Sequence, residues 1–218
     1  MNDKIIECKI CNNKMKEYES NNPQPLLENF DDRVCRDCND FVTASRINGD
    51  ENMKRKILII GAGGIGSFLI PLLDKTNLYR ITVFDPDIVE LKNVSYQNFS
   101  KEDVDMKKVA VMKRDYPSIT KAEHFLVLTE SQIKGFDLVV CCADNLDVRR
   151  LLYRSTTEWL DLRAQGRNGA FISYKTPKTM FDTVLTGPKG NFSCQTNEWK
   201  GEKQSIHFTH VAIAGMAA

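Results

Sequence analysis

KILIIGAGGIGS, residues 56–67, packs a strand, a tight turn and a helix start into one short stretch. The apolar run that ends at Ile60 has the composition of a buried strand. Gly61, Gly63, Gly64 and Gly66 follow at once, and IGSFLIPLLDK (65–75) then spaces its apolar groups as a helix does. Glycines in a G-x-G-x-x-G pattern let the backbone turn sharply and approach a phosphate. A helix starting there adds free N–H groups and a favourable dipole. Asp85 closes the next strand, where a carboxylate can accept hydrogen bonds from ribose hydroxyls. The pattern reads as a nucleotide site, with a turn that binds nothing as its alternative, and the glycines leave NAD(P), FAD and ATP open. The uncharged run Ile57 to Leu73 imitates a membrane span. It is short of the ~20 residues a span needs and is closed by Lys56 and Asp74, so no membrane segment is expected.

Downstream, RITVFD (80–85), HFLVLT (124–129) and FDLVVCCA (136–143) read as strands. KEDVDMKKVAVMKRDYP (101–117) reads as a charged amphipathic helix and NLDVRRLLYRSTTEWL (145–160) as another. DLRAQG then leads into a fifth strand. Apolar strands alternating with helices imply an α/β fold with a Rossmann-like, doubly wound, mostly parallel sheet. From Arg167 onward, GAFISYKTP and MFDTVLTG resemble antiparallel hairpin strands instead.

Upstream, Cys8-Lys9-Ile10-Cys11 and Cys35-Arg36-Asp37-Cys38 form two C-x2-C pairs. Two such knuckles place four thiolates tetrahedrally around one ion, and a soft thiolate set favours zinc. An iron–sulfur centre is the alternative metal group and a disulfide pair the alternative bond. The segment between the pairs is polar and turn-rich, so metal binding would be what folds it. NDFVTASRI (39–47) reads as a short helix, giving a treble-clef-like finger over residues 1–50. Residues 47–55 carry no apolar period and serve as a linker, and the main domain is expected over 56–218. Cys141 and Cys142 lie in an apolar run and read as core; Cys194 lies in polar sequence.

Length and charge set the outer bounds. At 218 residues the chain holds one large domain or one domain with a small appendage. Apolar residues at 42% and charged residues at 27% exclude disorder over the whole chain. Thirty basic against 29 acidic side chains give a net charge of +1. That balance argues against a protein built to grip nucleic acid. MNDKIIECKICNNK (1–14) lacks the apolar run of a secretory signal, so a cytoplasmic, reducing location is expected.

The nucleotide question narrows when four stretches are read together: ILIIGAGGIGS, ITVFDPDIVELKNVSYQNF (81–99), the basic helix after it, and VVCCADNLDVRRLL (139–152). They resemble the E1-like, ubiquitin-activating adenylyltransferase family, whose small bacterial members are ThiF and MoeB. The resemblance runs from about Lys56 to the end. Its most diagnostic part is D-x-D-x-V-E-x-x-N-x-x-x-Q-x-F, which ordinary dehydrogenases have no reason to keep. It implies that ATP occupies the glycine loop and that AMP is attached to the C-terminal carboxylate of a ubiquitin-like or sulfur-carrier protein or peptide. It also implies a homodimer. Carried over position by position, Gly61, Gly63, Gly64 and Gly66 would hold the phosphates and Asp85 the ribose. Asn93 and Gln97 match polar positions of the pocket, and Lys108 matches the lysine that offsets triphosphate charge, with Lys107 as its neighbouring alternative. Asp144 matches the magnesium-binding aspartate. Arg149 matches a family position and reads equally well as a solvated residue beside Arg150.

Three features depart from the family's pattern. Where it has N-x-x-R-Q, this chain has Asn93-Val94-Ser95-Tyr96-Gln97, so a tyrosine replaces the arginine expected near the γ-phosphate. Arg33 or Arg46 would have to replace that charge. The C-x2-C pairs come first rather than late, and Cys194 stands alone as a candidate thioester- or persulfide-forming nucleophile. His207 and His210 lie near it in sequence but read as packing residues. Finally, HVAIAGMAA (210–218) resembles the start of the family's C-terminal helix, so the chain reads as a trimmed variant or a fragment. Two other functions stay in view. One is an inactive E1-like scaffold that binds a partner protein. The other is an NAD(P)-dependent oxidoreductase, which leaves Asn93, Gln97 and Lys108 without a purpose.

Overall fold

Ile57 and Ile59 face one side of a central sheet, Leu58 and Ile60 the other, and all four are buried. A strand covered on both faces needs an unbroken apolar run rather than an alternating one, which is what KILII supplies. Each such side chain contributes about 1.5–3 kcal/mol when fully removed from water. The computed structural model describes residues 4–17, 20, 33–40, 54–127, 129–181 and 207–218. The chain divides into two compact units, Met1–Lys54 and Arg55–Ala218.

In the second unit, strands β3 (Arg55–Ile60), β4 (Tyr79–Phe84), β5 (Ile119–Glu123), β6 (Leu138–Cys141), β7 (Trp159–Gln165) and β8 (Asn168–Ser173) form one sheet. Their spatial order is β5-β4-β3-β6-β7-β8. All pairs are parallel except β7 with β8, which closes as an antiparallel hairpin through Gly166 and Arg167. Helices α1 (Gly66–Thr76), α2 (Lys108–Asp115) and α4 (Thr209–Ala217) send buried residues into the core on one face of the sheet. Helix α3 (Leu146–Arg154) packs Val148, Leu152 and Tyr153 on the other, where the Tyr153 ring stacks on Trp159 at 4.5 Å. The uncharged run from Ile57 to Leu73 is thus β3, a loop and α1. Among the described residues no helix is long and apolar enough to cross a membrane.

Helix α1 carries Pro71, which has no N–H for the carbonyl of Ser67 one turn back. Asn98 fills the gap: its Nδ2 donates to that carbonyl at 3.2 Å, and its backbone N–H donates to Ser67 Oγ at 3.0 Å.

Several elements differ from the expectation set by sequence. Residues 101–117 do not form one helix. A 3-10 turn covers Lys101–Asp103, Asp105 takes a left-handed φ of 69°, and α2 begins only at Lys108. Asp103 is buried, accepts from Ser100 and pairs with Arg114, which fixes the turn. Of HFLVLT, the described residues 124–127 and 129 are not in a strand, and Leu128 lies outside the described residues; β5 lies just before them, in the polar ITKAE. An edge strand half open to water needs no apolar run, whereas the apolar side chains after it fold inward, Phe125 against Phe84 at 4.5 Å. Helix α3 stops at Arg154, before the β-branched Thr156 and Thr157, and Trp159 already belongs to β7. Of the expected strand MFDTVLTG, Met180 ends a 3-10 turn and Phe181 packs on Tyr153 and Trp159; residues 182–187 lie outside the described residues.

In the first unit, β1 (Ile5–Glu7) and β2 (Lys14–Lys16) pair antiparallel. Residues 36–40 are helical, starting directly after Cys35 and including Cys38, and the rest of the helix expected over 39–47 lies outside the described residues. Its core is small: Cys8, Met15 and Val34, with Ile6, Cys35 and Cys38 against them.

Two outcomes follow from this packing. A Cβ built on Gly66 falls 1.9 Å from the Gly61 carbonyl oxygen, so Gly66→Ala should lose about 3 kcal/mol or more in urea denaturation. His210 on α4 is fully buried, and its Nε2 lies 2.7 Å from the Tyr96 carbonyl oxygen, an acceptor, so Nε2 donates. Burial pushes the His210 pKa down, and the backbone groups of Tyr96 and His207 only partly offset this. The folded value therefore lies below the unfolded value of about 6.5. Its contribution to stability is full above the unfolded value and declines as pH falls toward the folded one. Thermal melts should show that decline, and His210→Gln should flatten it.

Candidate active site and thiol cluster

Strand order reverses at β3: the chain first builds outward through β4 and β5, then returns to add β6 on the other side of β3. Loops leaving β3 and β6 at their C-terminal ends therefore part, and open a crevice of the kind that binds ligands in doubly wound sheets. A cavity of about 540 Å³ lies there. Gly61, with φ 97°, brings the first loop so near the second that a Cβ on it would stand 2.9 Å from the Ala143 nitrogen.

Residues from separate elements converge on this cavity. Gly61, Gly63, Gly64, Asp85, Asn93, Gln97, Lys108 and Asp144 all line it. Gly66 does not; it sits under the loop, against Gly61. Asp85 is nearly buried and is already engaged, Oδ2 accepting from the Ala62 N–H at 2.7 Å and Oδ1 from the Asp87 N–H at 2.8 Å. Burial raises its pKa, against the pull of Lys108 and of those two N–H groups. Lys108, the first residue of α2, is 4% exposed and its Nζ meets Asp87 Oδ2 at 2.9 Å. Lys107 is exposed, its backbone bridged to Ile88, so it is Lys108 that reaches the cavity. Asp144 follows β6, and burial raises its pKa, opposed by its own backbone N–H and by Arg149 and Lys108. Gln97 Oε1 is buried without a hydrogen-bond partner among the described residues. A buried acceptor left open at a cavity wall suits a ligand that brings a donor.

Arg149 is not a solvated surface residue. It is paired at 3.2 Å with the fully buried Asp161, which also takes Arg163 and the Tyr153 hydroxyl at 2.8 Å each. Tyr96 lines the cavity, and its carbonyl is the acceptor of His210. Cys141 is buried, and that burial, with the nearby Asp161, pushes its thiol up to about 12, so it is no nucleophile. Cys142 is buried as well. Cys194 and Arg46 lie outside the described residues, and Arg33 belongs to the first unit.

Sequence reasoning missed two parts of the lining. Phe84, Phe125, Leu126 and Val127 give the cavity an apolar wall, hidden in sequence because HFLVLT reads as a strand. Asp87, Glu90 and Lys92 add charge to it; the first two stand inside the D-x-D-x-V-E motif itself.

In the first unit, the ligand atoms of Cys8, Cys11, Cys35 and Cys38 lie within 4.8 Å of one another. Tetrahedral thiolates about 2.3 Å from zinc stand about 3.8 Å apart. Cys11 Sγ and Cys35 Sγ are 3.8 Å apart, too far for a disulfide. Burial raises the Cys8 thiol, but backbone N–H groups of Cys11, Cys35 and Ile10 outweigh it and bring Cys8 to about 6. N–H groups aimed at a sulfur favour a thiolate, the form that binds metal. The donor set fits zinc.

The fold and its cavity define a doubly wound α/β protein with an open crevice at the switch point. The chain belongs to the ThiF family, whose profile matches residues 45–218. It is similar to the Nedd8-activating enzyme E1 catalytic subunit of Drosophila melanogaster, with 30% identity over 174 residues, 76% of this chain and 38% of that protein. It is also similar to ubiquitin-like modifier-activating enzyme 5 of Oryza sativa subsp. japonica, with 28% identity over 125 residues, 47% of this chain and 29% of that enzyme. The chain thus spans well under half the length of these relatives. Among solved structures, E. coli MccB with ATP shares the fold at a TM-score of 0.56 and 17% identity, covering 80% of this chain and 56% of MccB.

The thiol cluster makes a direct prediction. A strong chelator should unfold the segments around the four cysteines, 4–17 and 33–40, while leaving the described residues of the second unit folded, as read by hydrogen exchange. Cys35→Ser should lower bound zinc well below one per chain by metal analysis.

Proposed function

We propose that this chain transfers AMP from ATP to the C-terminal carboxylate of a ubiquitin-like or sulfur-carrier protein or peptide. The observation that carries this reading is the convergence of the glycine loop, Asp85, Asn93, Gln97, Lys108 and Asp144 on one cavity at the switch point. The activating enzymes among its relatives and the ATP-bound MccB of like fold support it.

In the reaction, a carboxylate oxygen of the acceptor forms a bond to the α-phosphorus, and the bond from that phosphorus to the oxygen bridging the β-phosphate breaks. Pyrophosphate leaves, and the acceptor keeps AMP as a mixed anhydride. An anion attacking a polyanion needs positive charge fixed in advance. Lys108 supplies it from a site where burial and Asp87 limit its motion. The Gly61 and Ala62 N–H groups are taken by the Phe84 carbonyl and by Asp85, so the N–H groups of Gly63 and Gly64 would hold phosphate oxygens, and Asp85 would accept from the ribose at its remaining lone pairs. Asp144, on the cavity wall, would hold magnesium, which when bound adds Lewis-acid charge to the phosphates. The apolar wall of Phe84, Phe125, Leu126 and Val127 would take the base. Zinc is assigned to the four thiols as a structural ion, since all four ligand positions are protein sulfurs.

A second reading, an inactive scaffold, is favoured by one observation: Tyr96 lines the cavity where the resemblance expects an arginine. Carboxylate-dependent ATP–pyrophosphate exchange separates the two. Exchange should be present in the wild type and fall about 100-fold or more in Asp144→Ala and in Lys108→Ala. ATP binding with no exchange toward any carboxylate acceptor would establish the scaffold.

A further inference from the structure

Among the described residues lining the cavity, four bear carboxylates, Asp85, Asp87, Glu90 and Asp144, against two cations, Lys92 and Lys108. A triphosphate carries several negative charges, so this lining repels it unless both cations and a metal face it. Lys108 is spoken for by the buried side of the cavity. Lys92 has no place in the chemistry described so far.

Its setting is more ordered than that of a surface lysine. Lys92 stands in the 3-10 turn Leu91–Ser95, and its Nζ meets Glu90 Oε2 at 2.8 Å. The Glu90 backbone is itself fixed from both sides by Asn93: the Asn93 N–H donates to the Glu90 carbonyl at 2.8 Å, and Asn93 Oδ1 accepts from the Glu90 N–H at 2.9 Å. Asn93 is buried and lines the same cavity. The Glu90 hydrogen bond raises the Lys92 pKa, with smaller contributions from Glu90, Tyr96 and Asp87 charge, so its ammonium stays protonated. Both cations are thus held over the cavity by a neighbouring carboxylate, Lys108 by Asp87 and Lys92 by Glu90. An arriving phosphate replaces a carboxylate oxygen as acceptor in each case, without either ammonium having to be newly ordered.

We propose that Lys92 is a second triphosphate-binding residue of this cavity, with Glu90 as its positioning residue. The proposal rests on the nucleotide reading above and adds to it a contact to the phosphates beyond the α position. Tyr96 gives a way to check that charge, and not a particular side chain, is what is needed. It lines the same cavity four residues on, so an arginine placed there can take over the role.

The test is calorimetric titration of the full chain with ATP and, separately, with AMP, both with magnesium. Lys92 is more than half exposed, so its truncation leaves the core untouched. Lys92→Ala should weaken ATP about tenfold, the size of one lost hydrogen bond to a charged group, and AMP less than about twofold. The double variant Lys92→Ala with Tyr96→Arg should recover most of the ATP affinity. Unchanged ATP affinity in Lys92→Ala, or equal losses for ATP and AMP, overturns this proposal and leaves adenylylation standing. A wild-type chain that binds neither nucleotide overturns the adenylylation reading and this one with it.

Discussion

The site is organised by one buried carboxylate. Asp85 accepts the Ala62 N–H with one oxygen and the Asp87 N–H with the other, so it joins the loop after β3 to the loop after β4. Asp87 in turn pairs with Lys108, and its carbonyl receives the Lys108 N–H at 3.1 Å. The glycine loop, the second strand and the lysine at the start of α2 are therefore positioned through a single side chain. A buried carboxylate is costly unless its oxygens are matched, and here the matching donors are the backbone groups whose placement the site requires. Asp85, proposed above to hold the ribose, therefore also sets the shape of the loop before any ligand arrives.

Charge in the second unit follows a consistent arrangement. Cations at the cavity are each held by one carboxylate that solvent can reach, Asp87 being 59% exposed and Glu90 53%. Deeper in the fold the ratio is inverted, and Asp161 alone faces Arg149, Arg163 and the Tyr153 hydroxyl. The first pattern suits exchange of partners, since losing the carboxylate to water costs little. The second suits permanence, because breaking a buried pair leaves an uncompensated charge. Arg149 belongs to the permanent set, and its influence on Asp144 is exerted at a distance rather than by contact.

Much of this was legible in sequence, and the failures have physical causes. The run KILIIGAGGIGS was unambiguous because an uninterrupted apolar strand and a glycine pattern with tight spacing have few structural solutions. Cysteine spacing was equally plain, since two C-x2-C pairs leave little freedom in placing four sulfurs. The element boundaries were not. Asp105 with its left-handed backbone splits what the charge pattern presents as one long helix, and nothing in its identity announces that conformation. The polar ITKAE forms an edge strand because hydrogen bonds to β4, rather than burial, hold it. Phe125, Leu126 and Val127, from the more strand-like stretch that follows, are drawn inward to the cavity wall. The role of His210 was illegible for a different reason: it depends on a contact 114 residues away, with the Tyr96 carbonyl.

The proline inside α1 leaves one further mark on the chain. Because Pro71 cannot serve the Ser67 carbonyl, Asn98 does, and in doing so it ties the end of the Asn93–Asn98 segment to the first turn of the helix behind the glycine loop. Residues 71 and 98 are therefore a single unit of substitution. An ordinary helix former at 71 would supply its own N–H to Ser67 and make the asparagine redundant there, while loss of the asparagine alone would strand a carbonyl that the proline can never reclaim. Natural variation in this chain should move the two positions together, although neither bears on the chemistry of the cavity they brace.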